Sequence, residues 1–264
     1  MSEFQQFADT VWAHYATNAR VMPWRDTPTF YNVLVSEIML QQTQVERVRT
    51  KFDEFMRRFP DITTLAQAKQ SEVLMLWQGL GYNRRAKFLH EAAKIVVVDG
   101  EPRTFNQLVK LPGVGKNTAG AIMNYTYNSP TPFIETNIRT VYFHHFFPQH
   151  ISVSDAELLE MVEKTIDSEN PREWFWALMD YGAWLKKQGL GRLTTSTHYR
   201  KQSPLKGSLR QMRGDLLREL THGPIRYSEL KRTHGGDKRF QPAFDALVKE
   251  KLIDLSETMV RLTD

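Results

Sequence analysis

The sequence predicts a mainly α-helical protein that ends in a small winged-helix-like module. Residues 1 to about 190 carry helical apolar spacing broken only by short polar or Pro/Gly segments. The β-branched runs that a parallel sheet repeats are missing, with Ile95–Val98 as the single exception. The last sixty or so residues hold three short helical patterns followed by two strand-like segments.

In order along the chain, breaks at Arg25–Pro28, Pro60–Thr63, Gly100–Arg103, Ser129–Pro132 and Pro148–Ser154 separate the helices of the first 190 residues. Proline lacks the amide donor and glycine frees the backbone, so both punctuate helices. From Gly191 to Lys206, Thr, Ser, Gly and Lys replace the apolar periodicity, as in a linker. Beyond it Leu209, Met212, Leu216 and Leu220 fall at helical spacing, Tyr227–Lys231 reads as a short second helix, and Phe240, Phe244 and Leu247 mark a third. Leu252–Leu255 and Met259–Leu262, parted by Ser-Glu-Thr, read as a hairpin. The expected organisation is a helical domain over 1–190, a basic linker over 191–206 and the module over 207–264. Such modules dock nucleic acid or protein, and fold alone does not choose.

Of 264 residues, 41% are hydrophobic and 25% charged, enough for one large core or two smaller ones and too apolar for a disordered chain. The cysteine count is zero, which excludes disulfides, thiolate catalysis and cysteine-held zinc or iron–sulfur clusters. Met1–Trp12 is polar with Glu3 and Asp9, unlike a signal peptide, and no run approaches the ~18 apolar residues of a membrane span. A soluble intracellular monomer without a membrane partner is expected.

Charge is divided unevenly. Residues 1–180 hold 18 Lys+Arg against 21 Asp+Glu, whereas residues 181–264 hold 17 against 9. Tyr181–Gly214 contains no acid and eight bases: Lys186, Lys187, Arg192, Arg200, Lys201, Lys206, Arg210 and Arg213. Either a polyanion partner or a solvated basic linker accounts for this run.

The clearest local motif is Leu111-Pro112-Gly113-Val114-Gly115-Lys116, set between helical stretches Phe105–Val109 and Thr118–Tyr125. Two glycines there let a backbone approach a phosphate and point amides outward at a helix start. The glycine spacing and the preceding helix exclude a nucleotide P-loop. No side-chain metal site is expected, since the eight histidines form no cluster and the rings of His144 and His145 diverge on a helix. A backbone-bound monovalent cation is compatible with the 111–116 hairpin.

Two acids stand in apolar company: Glu37 within Val33–Leu40, and Glu135 between Pro132-Phe133-Ile134 and Thr136-Asn137-Ile138. A desolvated carboxyl stays protonated near neutrality and can act as a general acid. A pair of carboxyls is the equipment for breaking a glycosidic bond. A surface or helix-capping glutamate is the alternative for either one taken alone.

Together these residues resemble the helix-hairpin-helix DNA glycosylase superfamily, and most closely its MutY-type adenine glycosylase branch. The likeness runs from Pro23 to Gly182. It rests on Pro23-Trp24-Arg25, the string Ser36-Glu37-Ile38-Met39-Leu40-Gln41-Gln42-Thr43-Gln44-Val45, Gly79-Leu80-Gly81-Tyr82, the Leu111–Gly120 hairpin, and Met179-Asp180-Tyr181-Gly182-Ala183. The resemblance implies two helical subdomains with the active-site cleft between them. It implies that Glu37 protonates the departing base, that Glu135 takes the place of the catalytic aspartate and that Asn137 orients the site. Gln42 and Tyr82 would wedge into the stack left by a flipped nucleotide, and Trp24, Arg25 and Leu40 would line the base pocket. Thr43, Gly113, Gly115 and Lys116 would contact DNA.

Four departures from the family pattern shape the expectation. Glu135 is one methylene longer than the usual aspartate. Asn117 occupies the hairpin position of the Schiff-base lysine of the endonuclease III branch, and an amide cannot attack a sugar, so a monofunctional enzyme is expected. Trp176 stands where relatives often carry Glu or Gln against the adenine. Trp184-Leu185-Lys186-Lys187-Gln188-Gly189 replaces the start of a cysteine-ligated [4Fe-4S] loop, and too few residues follow for an 8-oxoguanine-recognising domain, so no cofactor is expected. Lys186 and Lys187 would instead bind DNA.

The expected function is a mismatch-directed DNA glycosylase of base excision repair, acting on double-stranded DNA with a mispair or damaged base. Adenine opposite guanine or 8-oxoguanine is the first substrate expected. Thymine or uracil opposite guanine is the alternative, and a non-catalytic DNA-binding protein is the alternative of another class. In a prokaryote such a protein would be cytoplasmic and nucleoid-associated.

Overall fold

The computed structural model describes residues 2–191, 196–197 and 204–264. Among them the elements run α1 (Glu3–Asn18), α2 (Pro23–Asp26), α3 (Phe30–Leu40), α4 (Val45–Arg58), α5 (Ile62–Gln67), α6 (Gln70–Leu76), α7 (Arg84–Asp99), α8 (Phe105–Leu108), α9 (Lys116–Tyr127), α10 (Thr136–His145), α11 (Asp155–Thr165), α12 (Pro171–Lys187), α13 (Leu209–Leu220), β1 (Ile225–Arg226), α14 (Tyr227–His234), α15 (Phe240–Lys249), β2 (Ile253–Ser256) and β3 (Met259–Leu262). The mainly α reading holds. Most of the expected linker, with Arg192, Arg200 and Lys201, lies outside the described residues. No helix among the described residues is long and apolar enough to cross a membrane.

Local chemistry sets the helix starts. Reciprocal capping boxes open α8 (Thr104 with Gln107) and α11 (Ser154 with Glu157), and proline occupies the first turn of α2 and α12. Ile95–Val98, the one β-branched run, forms the last turns of α7. There Leu89, Ala92, Ala93 and Val96 are buried at helical spacing, so packing of that face overrides strand propensity.

The chain divides into two compact units. The first comprises the residues up to Glu37, Arg103–Lys110, and the chain from Val114 through α12. The second comprises Ile38–Pro102, Leu111–Gly113 and the chain from α13 to Asp264. This division falls inside the 1–190 segment read from the sequence as one domain, and it groups the C-terminal module with α4–α7.

In the first unit Phe7 packs on Tyr142 and edge-on to Trp174, with ring centroids 5.3 and 5.7 Å apart. α10 and α12 approach until the only side chain tolerated at position 182 is a hydrogen: a Cβ there would lie 2.2 Å from the Asn137 carbonyl oxygen. Beyond α12, Ser196 bridges to Val153 and its hydroxyl accepts from Arg139 Nη1 at 3.1 Å, while Arg139 also pairs with Asp155.

The second unit is centred on Phe55, Phe59 and Trp77, all fully buried. Its C-terminal part is a three-stranded antiparallel sheet in the order β1-β3-β2 flanked by α13–α15. The β2–β3 hairpin sits where the sequence placed it, and β1 is an addition. Two residues after Gly223-Pro224 are too few for a periodicity to register.

Candidate active site

Glu37 lies on α3, whose neighbouring Val33, Leu34 and Val35 are buried. Burial pushes its carboxyl up to about 8, the charge of Glu135 adds to the rise, and Arg25 opposes it. Glu135 is the N-cap of α10. Its Oε1 accepts from the backbone amides of Asn137 at 2.5 Å and Ile138 at 2.9 Å, and Oε2 accepts from Asn137 Nδ2 at 3.4 Å. Burial raises this carboxyl too, but the Ile138 amide, the Lys186 ammonium and Asn137 all favour its anion. The capping alternative weighed from sequence is therefore realised at Glu135. The side chain folds back onto its own helix N-terminus, where the helix dipole also favours negative charge.

Around this pair sits an ion network that the sequence did not expose. Asp180, 2% accessible, takes a bidentate pair from Arg25 (2.8 and 2.9 Å) and accepts from Arg20 Nε at 2.7 Å and the Arg20 amide at 2.8 Å. Burial alone would raise the Asp180 carboxyl; Arg25 and Arg20 outweigh that and hold it low. The Arg25 guanidinium lies 5.3 Å from the centroid of Trp176, and the indole stacks on the buried Tyr125 at 5.9 Å. Tyr125 was missed from sequence, although it lies on the α9 face repeating every four residues from Asn117 through Ala121. Asn137 Oδ1 is buried with no hydrogen-bond partner among the described residues. Trp24 is buried. Lys186 is half-buried within range of the Glu135 charge, whereas Lys187 is exposed. His145 is a core residue, its Nε2 3.1 Å from the Tyr181 hydroxyl, and burial holds it down at about 4.

The hairpin feeds α9, whose N-cap, Gly115, offers no side chain to cap the helix; Gly115, Lys116 and Asn117 are exposed. Asn117 Oδ1 accepts from the Ile134 amide at 3.5 Å.

Leu40, Gln42, Thr43, Tyr82 and Gly113 fall in the second unit. Gln42 and Tyr82 both adopt left-handed backbone, at φ +56 and +47, a conformation that costs non-glycine residues of order 1 kcal/mol or more and persists only where surroundings enforce it. Arg85, also missed from sequence, enforces it. Its buried guanidinium donates to the carbonyls of Ile38, Met39, Leu80 and Gly81 and to Thr43 Oγ1, at 2.7–3.2 Å, tying the turn after α3 to the Gly79–Tyr82 turn. Gln41 Nε2 donates to the Gly113 carbonyl at 3.0 Å. Gly113 stands at φ +80, with Phe88 Cβ 3.0 Å from where its own Cβ would be.

Two carboxyls in unlike surroundings and a glycine hairpin opening a helix define a class, and the protein belongs to the HhH-GPD superfamily of base excision DNA repair proteins, whose family model matches residues 35–164. Among individual relatives, the chain is similar to the adenine DNA glycosylase of Buchnera aphidicola subsp. Baizongia pistaciae, 35% identical over 179 residues that make up 65% of this chain and 50% of the relative. It is 41% identical to that of Mycobacterium tuberculosis over 133 residues, 49% of this chain and 44% of the relative. The chain spans about half the length of the curated relatives it matches. A thermostable thymine-DNA glycosylase has a similar structure, with TM-score 0.61 and 26% identity over 69% of this chain and 86% of that one. A 3-methyladenine DNA glycosylase of H. pylori shares the fold at TM-score 0.58 and 17% identity, over 72% of this chain and 99% of that one.

An iron–sulfur cluster, which the branch pattern implies, does not fit this donor set. The sequence has no thiol, and no group of three or more His, Asp or Glu able to hold a metal occurs among the described residues.

Proposed function

We propose that the protein is a monofunctional, cluster-free DNA glycosylase that extrudes a base from a mispaired duplex and hydrolyses its N-glycosidic bond. The observation that carries this reading is the unlike surroundings of two buried carboxyls: burial raises both, Glu37 to about 8, but at Glu135 helix amides and a lysine favour the anion against that rise. Protonated Glu37 gives its proton to a ring nitrogen of the departing base as the glycosidic electron pair leaves with that base. The Glu135 carboxylate faces the positive charge that develops on the sugar, and water then adds to the anomeric carbon, giving up a proton to the carboxylate that Glu37 has become. Asn137, with its unpaired buried Oδ1, offers an acceptor to the substrate or that water. Asn117 supplies no amine for a Schiff base, so the product is an intact strand with an abasic site.

Adenine opposite guanine or 8-oxoguanine is the substrate favoured by the adenine glycosylase relatives. Thymine or uracil opposite guanine is the second reading, favoured by the likeness to a thymine-DNA glycosylase and by Trp176 beside Arg25. A panel of duplexes, each with one mispair or lesion, tests both. Release of a free base identified by mass spectrometry, with strand breaks only after alkali, is the expected result. Breaks without alkali would overturn the monofunctional reading. Glu37→Gln should bind the same duplex and release nothing; unchanged release would remove Glu37 from the chemistry, and no release by the parent protein from any duplex would leave a DNA-binding protein.

A further inference from the structure

The C-terminal module carries a residue that acts on the turn holding Tyr82. Two guanidiniums approach the Tyr82 ring, Arg85 at 5.5 Å and Arg210 at 5.0 Å from its centroid. Arg210 Nη1 also donates to the Tyr82 hydroxyl at 2.5 Å across 128 residues of sequence. Arg85 grips the backbone of that turn from within its own helix; Arg210, on α13, is the grip that the module adds.

The rest of the module is anchored so as to keep α13 in place. The Asp264 carboxylate accepts from Ser71 Oγ at 2.6 Å and pairs with Lys69 Nζ at 3.0 Å, next to the start of α6. Gln70 Nε2 donates to the Lys251 carbonyl and Lys87 Nζ to the Glu250 carbonyl, each at 2.8 Å. Arg213, one turn beyond Arg210, pairs with Glu250 at 2.5 Å. These contacts reach α6 and α7, the helices on either side of the Gly79–Tyr82 turn.

The face that a winged helix would lay in a DNA groove is ill suited to that use. The exposed positions of α15 are Gln241, Pro242, Asp245, Val248 and Lys249, with a single base and a carboxylate, and Gln241 is already bonded to Asp245 and Tyr227. We propose that the module braces the Tyr82 turn, and that Arg210 is a positioning residue that fixes the Tyr82 ring for insertion into duplex DNA. This rests on the proposed DNA-glycosylase reading, in which Tyr82 is a wedge.

The test uses the full chain and a mispaired duplex with 2-aminopurine beside the target, whose fluorescence rises when stacking is broken. Arg210→Ala and Tyr82→Phe should each reduce the fluorescence rise on binding and slow single-turnover base release by about tenfold, as expected for loss of one charged hydrogen bond. The double variant should be no worse than Arg210→Ala alone, because that variant already lacks the hydrogen bond that Tyr82→Phe removes. Arg210→Lys, which keeps a donor and the charge, should recover part of the signal. Multiplicative losses in the double variant, or full fluorescence with Arg210→Ala, would overturn the proposal. Should Arg210→Ala fail to fold, Tyr82→Phe, which leaves the module intact, decides by the same fluorescence reading. A parent protein that unstacks the duplex but releases no base would count against the glycosylase reading alone, and one that does not unstack it would overturn both.

Discussion

At the scale of single residues, Glu37 is tuned by where α3 places it. Its carboxyl is raised from an ordinary 4.5 to about 8, first by burial and then by the charge of Glu135. Protonated Glu37 therefore predominates at neutral pH, and base release should fall roughly tenfold per unit above about pH 8, the alkaline limb of a profile whose acid limb belongs to Glu135. The same tuning has a cost in stability. The unfolded chain loses this proton near 4.5 and the folded chain only near 8, so stability declines as pH rises between those values. Glu37→Gln removes the buried acid and should stabilise the protein on the order of 2–4 kcal/mol at pH 9 and little at pH 4. Thermal denaturation of both proteins at the two pH values checks this, and an equal difference at each would show that Glu37 is not held neutral by burial.

At the scale of elements, α10 couples catalysis to a helix cap. Glu135 closes the first turn of α10 through Oε1 while presenting its charge to the site. Gln at this position keeps an oxygen for both amides and discards the charge, whereas Ala discards both. Glu135→Gln should thus hold its melting midpoint while base release falls about 10²–10³-fold. Glu135→Ala should lose the same rate and a further ~1 kcal/mol of stability. Calorimetry beside single-turnover kinetics separates the two, and a Gln variant as unstable as the Ala variant would mean the cap needs the anion. Both glutamates were legible in sequence because each is a lone acid in an apolar run. The helices and hairpin were legible from periodicity, caps and glycines. Asp180, Arg20 and Arg85 were not: charged residues read as solvated surface, and their roles depend on distant partners such as Arg20 and Asp180, 160 residues apart. The grouping of the module with α4–α7 was equally hidden, since it runs through Asp264, Lys251 and Glu250, which no local pattern marks.

At the scale of the whole molecule, the basic excess of residues 181–264 does not translate into an equal excess of free cations. Arg213 is paired with Glu250, Arg218 with Asp215 and Arg239 with Asp237, so much of the module's positive charge is neutralised within it. Lys186 and Lys187, adjacent in sequence and expected to serve DNA together, diverge at the end of α12. Burial lowers the Lys186 ammonium and the Glu135 charge raises it, while Lys187 is exposed. A phosphate contact releases condensed counterions, so Lys187→Gln should weaken duplex binding and shallow the slope of log K against log salt by about 0.9. Lys186→Gln should leave that slope nearly unaltered. Because Lys186 favours the Glu135 anion, its loss should raise the Glu135 carboxyl and move the acid limb of base release to higher pH. Binding titrations from low to moderate salt, paired with pH–rate profiles of both variants, make the comparison. Equal changes in slope for the two lysines, with no displacement of the acid limb, would return Lys186 to the DNA-contacting surface and leave Glu135 to its helix amides.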